Sequence, residues 1–210
     1  SSPSRGLGDV YKRQMKGKGI YQVKGSEKKI KEYTLSVLTE DKAGLLNHIT
    51  IIFNRRKMNI KSLNVSTTEV NGVSRFTIVV NSTKEKIIKI LNHINKLIDV
   101  LGAFLYEENE IYFQEIALYK LSTKIFMKGD IVEKIIRKHG AKILEIEEEH
   151  TIIQKTGSKK ETQNLYNDLD KFGGILEFAR SGRVALSKKK RKTINFLKEL
   201  EKTKSNKLNI

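Results

Sequence analysis

The stretch LTEDKAGLLNHITIIF, residues 38–53, holds the residues whose types and spacing come nearest to chemistry. Asp41 stands three residues ahead of Gly44, between an apolar, strand-like segment and an amphipathic helix. A helix entered at Gly44 leaves the backbone N–H groups of Gly44, Leu45 and Leu46 without intrahelical acceptors. Those donors, with the positive end of the helix dipole, favour a carboxylate. Glycine also lets a ligand approach the backbone closely, and Asp41 can take an ammonium group. Together they amount to a receptor for a zwitterionic amino acid. A second reading uses the same side chain differently, with Asp41 capping the helix by accepting from the Gly44 N–H. The pattern alone leaves both open.

Catalysis finds little support. No nucleophile, base or metal-ligand set stands near this loop. The four histidines, His48, His93, His139 and His150, form neither a HxxxH nor a HExxH pair and read as surface or cap residues. Glu145, Glu147 and Glu149 alternate along one expected strand face, a solvated face rather than the convergent oxygen cage a hard cation needs. GxSxG, Walker and GxGxxG patterns are absent. With no cysteine in the chain, disulfides, thiolate zinc sites and thiol nucleophiles are excluded. The expectation is therefore no catalytic residue and no metal site. A cysteine-free chain with no apolar run near the roughly 20 residues of a membrane span fits a reducing, cytoplasmic setting.

The elements that must hold the loop follow from periodicity. Residues 33–39, YTLSVLT, alternate as a strand, and Leu45, Leu46, Ile49, Ile52 and Phe53 recur at helical spacing. MNIKSLNVSTTEV and VSRFTIVVN are β-rich and flank Asn71-Gly72, a hairpin signal. Ser82-Thr83 predicts a helix cap, followed by Ile87, Leu91, Ile94 and Ile98 on one face. DVLGAFLYEE closes a βαββαβ order. The order then repeats: FQEIALYKLS as a strand, and a helix opened by Gly129-Asp130 with Ile131, Ile135 and Ile136. AKILEIEEE and HTIIQKTG follow as a hairpin, residues 159–171 as a helix and GILEFARSG as the last strand. Two such units predict an α+β fold of two tandem ferredoxin-like domains, at 33–110 and 111–187.

The net charge of +17 invites a nucleic-acid reading, so its location matters. Residues 1–32 and 188–210 together hold 18 basic and 5 acidic groups, whereas 33–187 hold 23 and 19. The charge sits in the flanks. Residues 1–32 read as a disordered leader, whose first fourteen, SSPSRGLGDVYKRQ, have the look of non-native sequence ahead of Met15. Residues 188–210 read as a basic tail with a short helical stretch.

The run TEDKAGLLNHITIIFNRRKMNIKSLNV resembles an ACT domain, the amino-acid-binding form of the βαββαβ fold. With SRFTIVV, HINKLIDVL and EFARSGRVALSK in order across about 155 residues, the chain resembles the small regulatory subunit of acetolactate synthase (acetohydroxyacid synthase). That resemblance implies a non-catalytic subunit of branched-chain amino-acid synthesis, activating a large catalytic subunit and transmitting feedback inhibition by valine. It implies a homodimer through the ACT domain, with valine at the interface on Asp41, Gly44, Leu45, Leu46, Asn59 and Ile60. Thiamine diphosphate, magnesium and FAD would belong to the large subunit, none to this chain. Two positions depart from the family pattern: Asp41 stands where Asn is frequent, and Ala43 where Pro or Ser is. Two other readings compete, a nucleic-acid-binding ferredoxin-like protein and a free-standing ACT sensor. Against the first, an RNA-recognition motif needs a run of stacking aromatics, and SRFTIVVN offers only Phe76.

Overall fold

The computed structural model describes residues 29–127, 130–188 and 198–199. The chain divides into two compact units, Phe113–Ala185 and, on either side of it in sequence, Ser1–Tyr112 with Leu186–Ile210.

In the first unit the order is β1 (Lys31–Glu40), α1 (Leu45–Arg55), β2 (Ile60–Thr67), β3 (Val73–Ser82), α2 (Lys84–Ile94) and β4 (Val100–Glu107). The strands form one antiparallel sheet in the order β2-β3-β1-β4. Because side chains alternate along a strand, β1 sends Tyr33, Leu35 and Val37 to one face, and β3 sends Phe76, Ile78 and Val80 beside them. Leu45, Ile49, Ile52 and Phe53 of α1, and Ile87, Ile90, Leu91 and Ile94 of α2, close over them as the core. A hairpin joins β2 and β3 at the Asn-Gly pair, with Gly72 at φ +72, but β2 ends at Thr67 and the loop takes five residues, 68–72, rather than the two the pair predicts.

The second unit repeats the plan: β5 (Ile111–Ser122), a single-turn α3 (Thr123–Phe126), α4 (Asp130–Lys138), β6 (Lys142–Ile146), β7 (His150–Gly157), α5 (Lys159–Asp170) and β8 (Ile175–Arg180). Its sheet runs β6-β7-β5-β8, and a further strand, β9 (Val184–Ser187), also pairs with β5. Two βαββαβ units are therefore present, consistent with the tandem ferredoxin-like expectation. Ala117, Tyr119, Leu121, Val132, Ile136, Ile153, Leu165 and Leu169 make the core. Ser158 and Glu161 start α5 with a reciprocal capping box at 3.3 and 2.7 Å. Those hydrogen bonds lower the Glu161 carboxyl below its ordinary range. Glu115, buried on β5, lies 3.3 Å from Arg180 Nε and 3.9 Å from Arg183 Nε. The Arg183 guanidinium also stacks 3.9 Å from the Phe113 ring.

Several details differ from the sequence reading. β1 starts at Lys31, two residues earlier than expected, because its pairing with β3 extends to Lys31↔Ser82. Leu46 is 45% exposed rather than buried. The second helix ends at Ile94, leaving Ile98 63% exposed. There Asn95 turns the chain by accepting from Ala103 N at 2.9 Å. Thr83 holds the predicted cap position, yet its hydroxyl caps nothing and Ser82 Oγ donates to its carbonyl instead. On α4 the inward pair is Val132 and Ile136, while Ile131 is 57% exposed. Ile135 is half-buried and packs against the same core as expected, whereas position 131 lies one residue, about 100°, from Val132 around the helix. Glu147 and Glu149 do not share a strand face with Glu145. β6 stops at Ile146, and Glu147 N donates to His150 O at 2.8 Å to close a turn. Gly129, the expected opener of α4, lies outside the described residues, as do residues 1–28 and most of the basic tail.

Candidate ligand site at the first helix

The loop from β1 into α1 is fixed at both sides. Glu40 N donates to Asp99 O at 2.9 Å, and Asp41 N donates to Gly72 O at 3.0 Å. Lys42 Nζ reaches Asp99 Oδ1 at 2.8 Å and Glu40 Oε2 at 2.7 Å. Those two hydrogen bonds, to Asp99 first, hold the exposed Lys42 ammonium well above the usual lysine range. The loop is thus tied to the β2–β3 hairpin on one side and to the start of β4 on the other. Neither Lys42 nor Ser74 stood out in the sequence, since such pairs are set by tertiary contacts 57 and 33 residues apart.

Gly44 adopts φ +84, a left-handed conformation, as the N-cap of α1. An added Cβ there would meet no heavy atom within 4 Å, so backbone conformation, not crowding, calls for glycine. His48 N closes the first turn on Gly44 O at 3.2 Å. Among the described residues nothing accepts from the amides of Gly44, Leu45 or Leu46. The capping alternative for Asp41 is not what its side chain does, because its Oδ1 accepts from Ser74 Oγ at 3.1 Å. Asp41 is exposed, and among the described residues its second carboxylate oxygen accepts no hydrogen bond. Leu46 adds an exposed apolar surface beside the free amides.

Asn59 and Ile60 lie elsewhere. Ile60 pairs with Val80, which pairs with Tyr33 near the start of β1, whereas Glu40, next to Asp41, pairs with Val73. Seven residues of β3 separate the two levels, roughly 23 Å at about 3.3 Å each. One chain does not bring the six predicted residues together. It gathers Asp41, Gly44, Leu45 and Leu46, and leaves Asn59 and Ile60 at the other end of the sheet.

Phe76, the sole aromatic of the competing RNA reading, is buried under the helices among Ile78 and Val80 and offers no stacking platform. No group of three His, Asp or Glu residues placed to hold a metal occurs among the described residues. Nor is any described helix long and apolar enough to cross a membrane.

A family profile described as "AHAS small subunit-like ACT domain" matches residues 35–102, and one described as "Small subunit of acetolactate synthase" matches 114–189. The acetolactate synthase small subunit of Mycolicibacterium smegmatis is 36% identical over 156 residues, 74% of this chain and 91% of that one. The chain belongs to the acetolactate synthase small-subunit family. The small subunit from Mycobacterium leprae is 31% identical over 156 residues, again 91% of its length. The crystal structure of the Thermotoga maritima acetolactate synthase small subunit covers 76% of this chain and 98% of its own, at TM-score 0.69 and 27% identity. As a member of this family the chain is a regulatory subunit in branched-chain amino-acid synthesis, not the catalytic one.

Proposed function

We propose that this subunit activates a large catalytic acetolactate synthase subunit and carries its feedback inhibition by valine, bound between two copies of the N-terminal unit. The ligand carboxylate takes the free amides of Gly44, Leu45 and Leu46, and its ammonium the carboxylate of Asp41. Asn59 and Ile60 of the second copy complete the pocket, and Leu46 packs on the aliphatic side chain.

The observation that carries this reading is the separation just described: a half-site at the start of α1 and the other predicted residues just past its end. A two-fold axis repairs that separation. α1 leads from β1 to β2, so it lies on the β2 side of the sheet, and β2 is an edge strand. Two copies meeting edge to edge at β2 lie antiparallel, and the start of one α1 then faces the end of the other, an isologous contact. Valine regulates only if its affinity differs between two arrangements of the assembly, and a tenfold preference is about 1.4 kcal/mol.

The test is to purify this subunit with and without the large subunit and assay acetolactate formation from pyruvate, each with and without valine. The subunit alone should be inactive, the mixture more active than the large subunit alone, and the gain reversed by valine. Turnover by this chain alone, or a large subunit indifferent to it, would refute the assignment.

A further inference from the structure

The outer strand of the second sheet is exposed along its whole length. β6 lies at one end of the order β6-β7-β5-β8, the place that β2 holds in the first sheet. All five of its residues, Lys142, Ile143, Leu144, Glu145 and Ile146, are exposed. An outer strand offers a row of backbone N–H and C=O groups to any further strand, and short length, a bulge and charged side chains are the usual guards of such an edge. β6 has each of these. It also carries what a guarded edge omits, for Ile143, Leu144 and Ile146 are 38, 53 and 55% exposed.

Pairing with β7 sorts these side chains by face, because residues directly opposite in an antiparallel pair point the same way. Ile143 lies opposite Ile153 and Ile146 opposite Thr151. Ile153 belongs to the core under the helices, and Thr151, two residues away, shares its face. Lys142 lies opposite Gln154 and Glu145 opposite Ile152, on the other face, and Leu144 is the extra residue of the bulge. β6 is thus apolar on the helix side and bears one cation and one anion, three residues apart, on the open side. Among the described residues neither Lys142 nor Glu145 forms an ion pair.

We propose that β6 pairs antiparallel with β6 of a second copy of this chain, about a two-fold axis between Ile143 and Leu144. That register sets Lys142 of each copy opposite Glu145 of the other, and Ile143 opposite Leu144. A two-fold axis perpendicular to the sheet makes the contact isologous and keeps each face on its own side. Two Lys–Glu pairs then form on the open side, while Ile143 and Ile146 of both copies gather on the helix side. A register one residue away would set Lys142 against Ile146 and Ile143 against Glu145, bringing open-side residues against helix-side ones. The strand read backwards supplies its own complement, which is why the occupant is another copy. This contact belongs to the second unit and does not rest on the ligand reading.

Because the chain has no cysteine, the full-length protein can report this contact directly. Positions 142 and 145 of one copy stand roughly 10 Å apart along the strand, too far for a disulfide, whose Cα atoms lie within about 7 Å. Opposed residues of two strands stand about 4.5–5.5 Å apart. Lys142→Cys combined with Glu145→Cys should therefore form, on mild oxidation, a covalent product of twice the chain mass, at least ten-fold faster than either single variant. No such product, or single variants that react as fast, overturns the proposal. Amide exchange across β6 gives a second reading. Lys142→Glu sets like charges opposite each other twice, so it should speed exchange at 142–146 at least ten-fold while Ile153 on β7 is unchanged. Adding Glu145→Lys should restore the slow rate. Exchange at β6 that is fast in the wild type, indifferent to these changes, or slow only with the large subunit present would mean that no second copy covers this edge.

Discussion

Replacing Gly44 with Asp separates the ligand chemistry of α1 from the stability of the fold. At φ +84 an L-residue costs about 1–2 kcal/mol, and no steric term is added because the site of a Cβ is open to 4 Å. A carboxylate at the helix start returns about 0.3–1 kcal/mol through the dipole. The net loss is therefore about 1 kcal/mol, or roughly 4–8 °C in Tm for a unit of this size, and the fold survives. Binding changes far more. The new carboxylate stands where the ligand carboxylate belongs, and each lost charge-assisted hydrogen bond is worth about 1.5–3 kcal/mol. Valine affinity should fall at least about ten-fold. Gly44→Ala carries the same backbone strain without the charge, so it should melt a few degrees low yet keep most of the affinity. Calorimetric titration with valine beside a thermal melt reads both quantities. If the wild type binds valine and Gly44→Asp binds it equally well, the helix start does not hold the carboxylate. If Gly44→Ala loses as much affinity as Gly44→Asp, the charge argument fails.

Other predictions concern the second unit. Asp168 accepts from Lys171 at 2.8 Å, His139 at 2.9 Å and Lys138 at 3.2 Å, and these bonds hold its carboxyl far below the ordinary aspartate range. A depressed folded value means the contribution is fully present above about pH 4 and is lost as pH falls through the folded value. Asp168→Asn should thus lower Tm at neutral pH, the gap from wild type closing in acid; a gap constant with pH would refute this. Tyr119 is buried, its phenol pushed up to about 12 by burial, and donates to Thr162 O at 2.6 Å. Tyr119→Phe should cost about 0.5–1.5 kcal/mol by urea denaturation, and no loss would show that bond to be neutral. Gly174→Ala would place its Cβ 2.5 Å from Ile125 Cδ1 and 3.2 Å from Ile125 Cβ. It should destabilise by about 1–3 kcal/mol, with Ile125→Val recovering part; full stability would mean that α3 yields freely.

What the sequence disclosed was local. The α1 stripe was legible because Leu45, Ile49, Ile52 and Phe53 repeat at the helical period, and Asn71-Gly72 marked the hairpin through its own backbone preferences. On α4 the stripe was legible at Ile135 and Ile136, which pack on the core, but not at its start, where Val132 and not Ile131 turns inward. Ile131 and Val132 are equally apolar, and only the partner surface selects between them. β9 was missed because a four-residue strand after Ser181-Gly182 carries no period of its own and exists through pairing with β5. The loop chemistry at Asp41 and Gly44 was visible, but its restraints by Ser74, Gly72 and Asp99 were not, being contacts between distant segments. The distance between Asp41 and Asn59 is likewise a property of sheet register, not of spacing along the chain.

That distance supports the most direct measurement. Gly44→Asp and Asn59→Ala chains, each a weak valine binder as a homodimer, should be produced together so that hybrid dimers form, and titrated with valine. If each pocket takes Asp41 to Leu46 from one copy and Asn59 from the other, a hybrid dimer has one doubly altered pocket and one wholly wild-type pocket. The mixture should regain sites of wild-type affinity, one per hybrid dimer. If both halves belong to the same chain, every pocket carries one of the two changes. Mixing would then restore nothing, and the proposal of a valine site shared between two copies would be wrong.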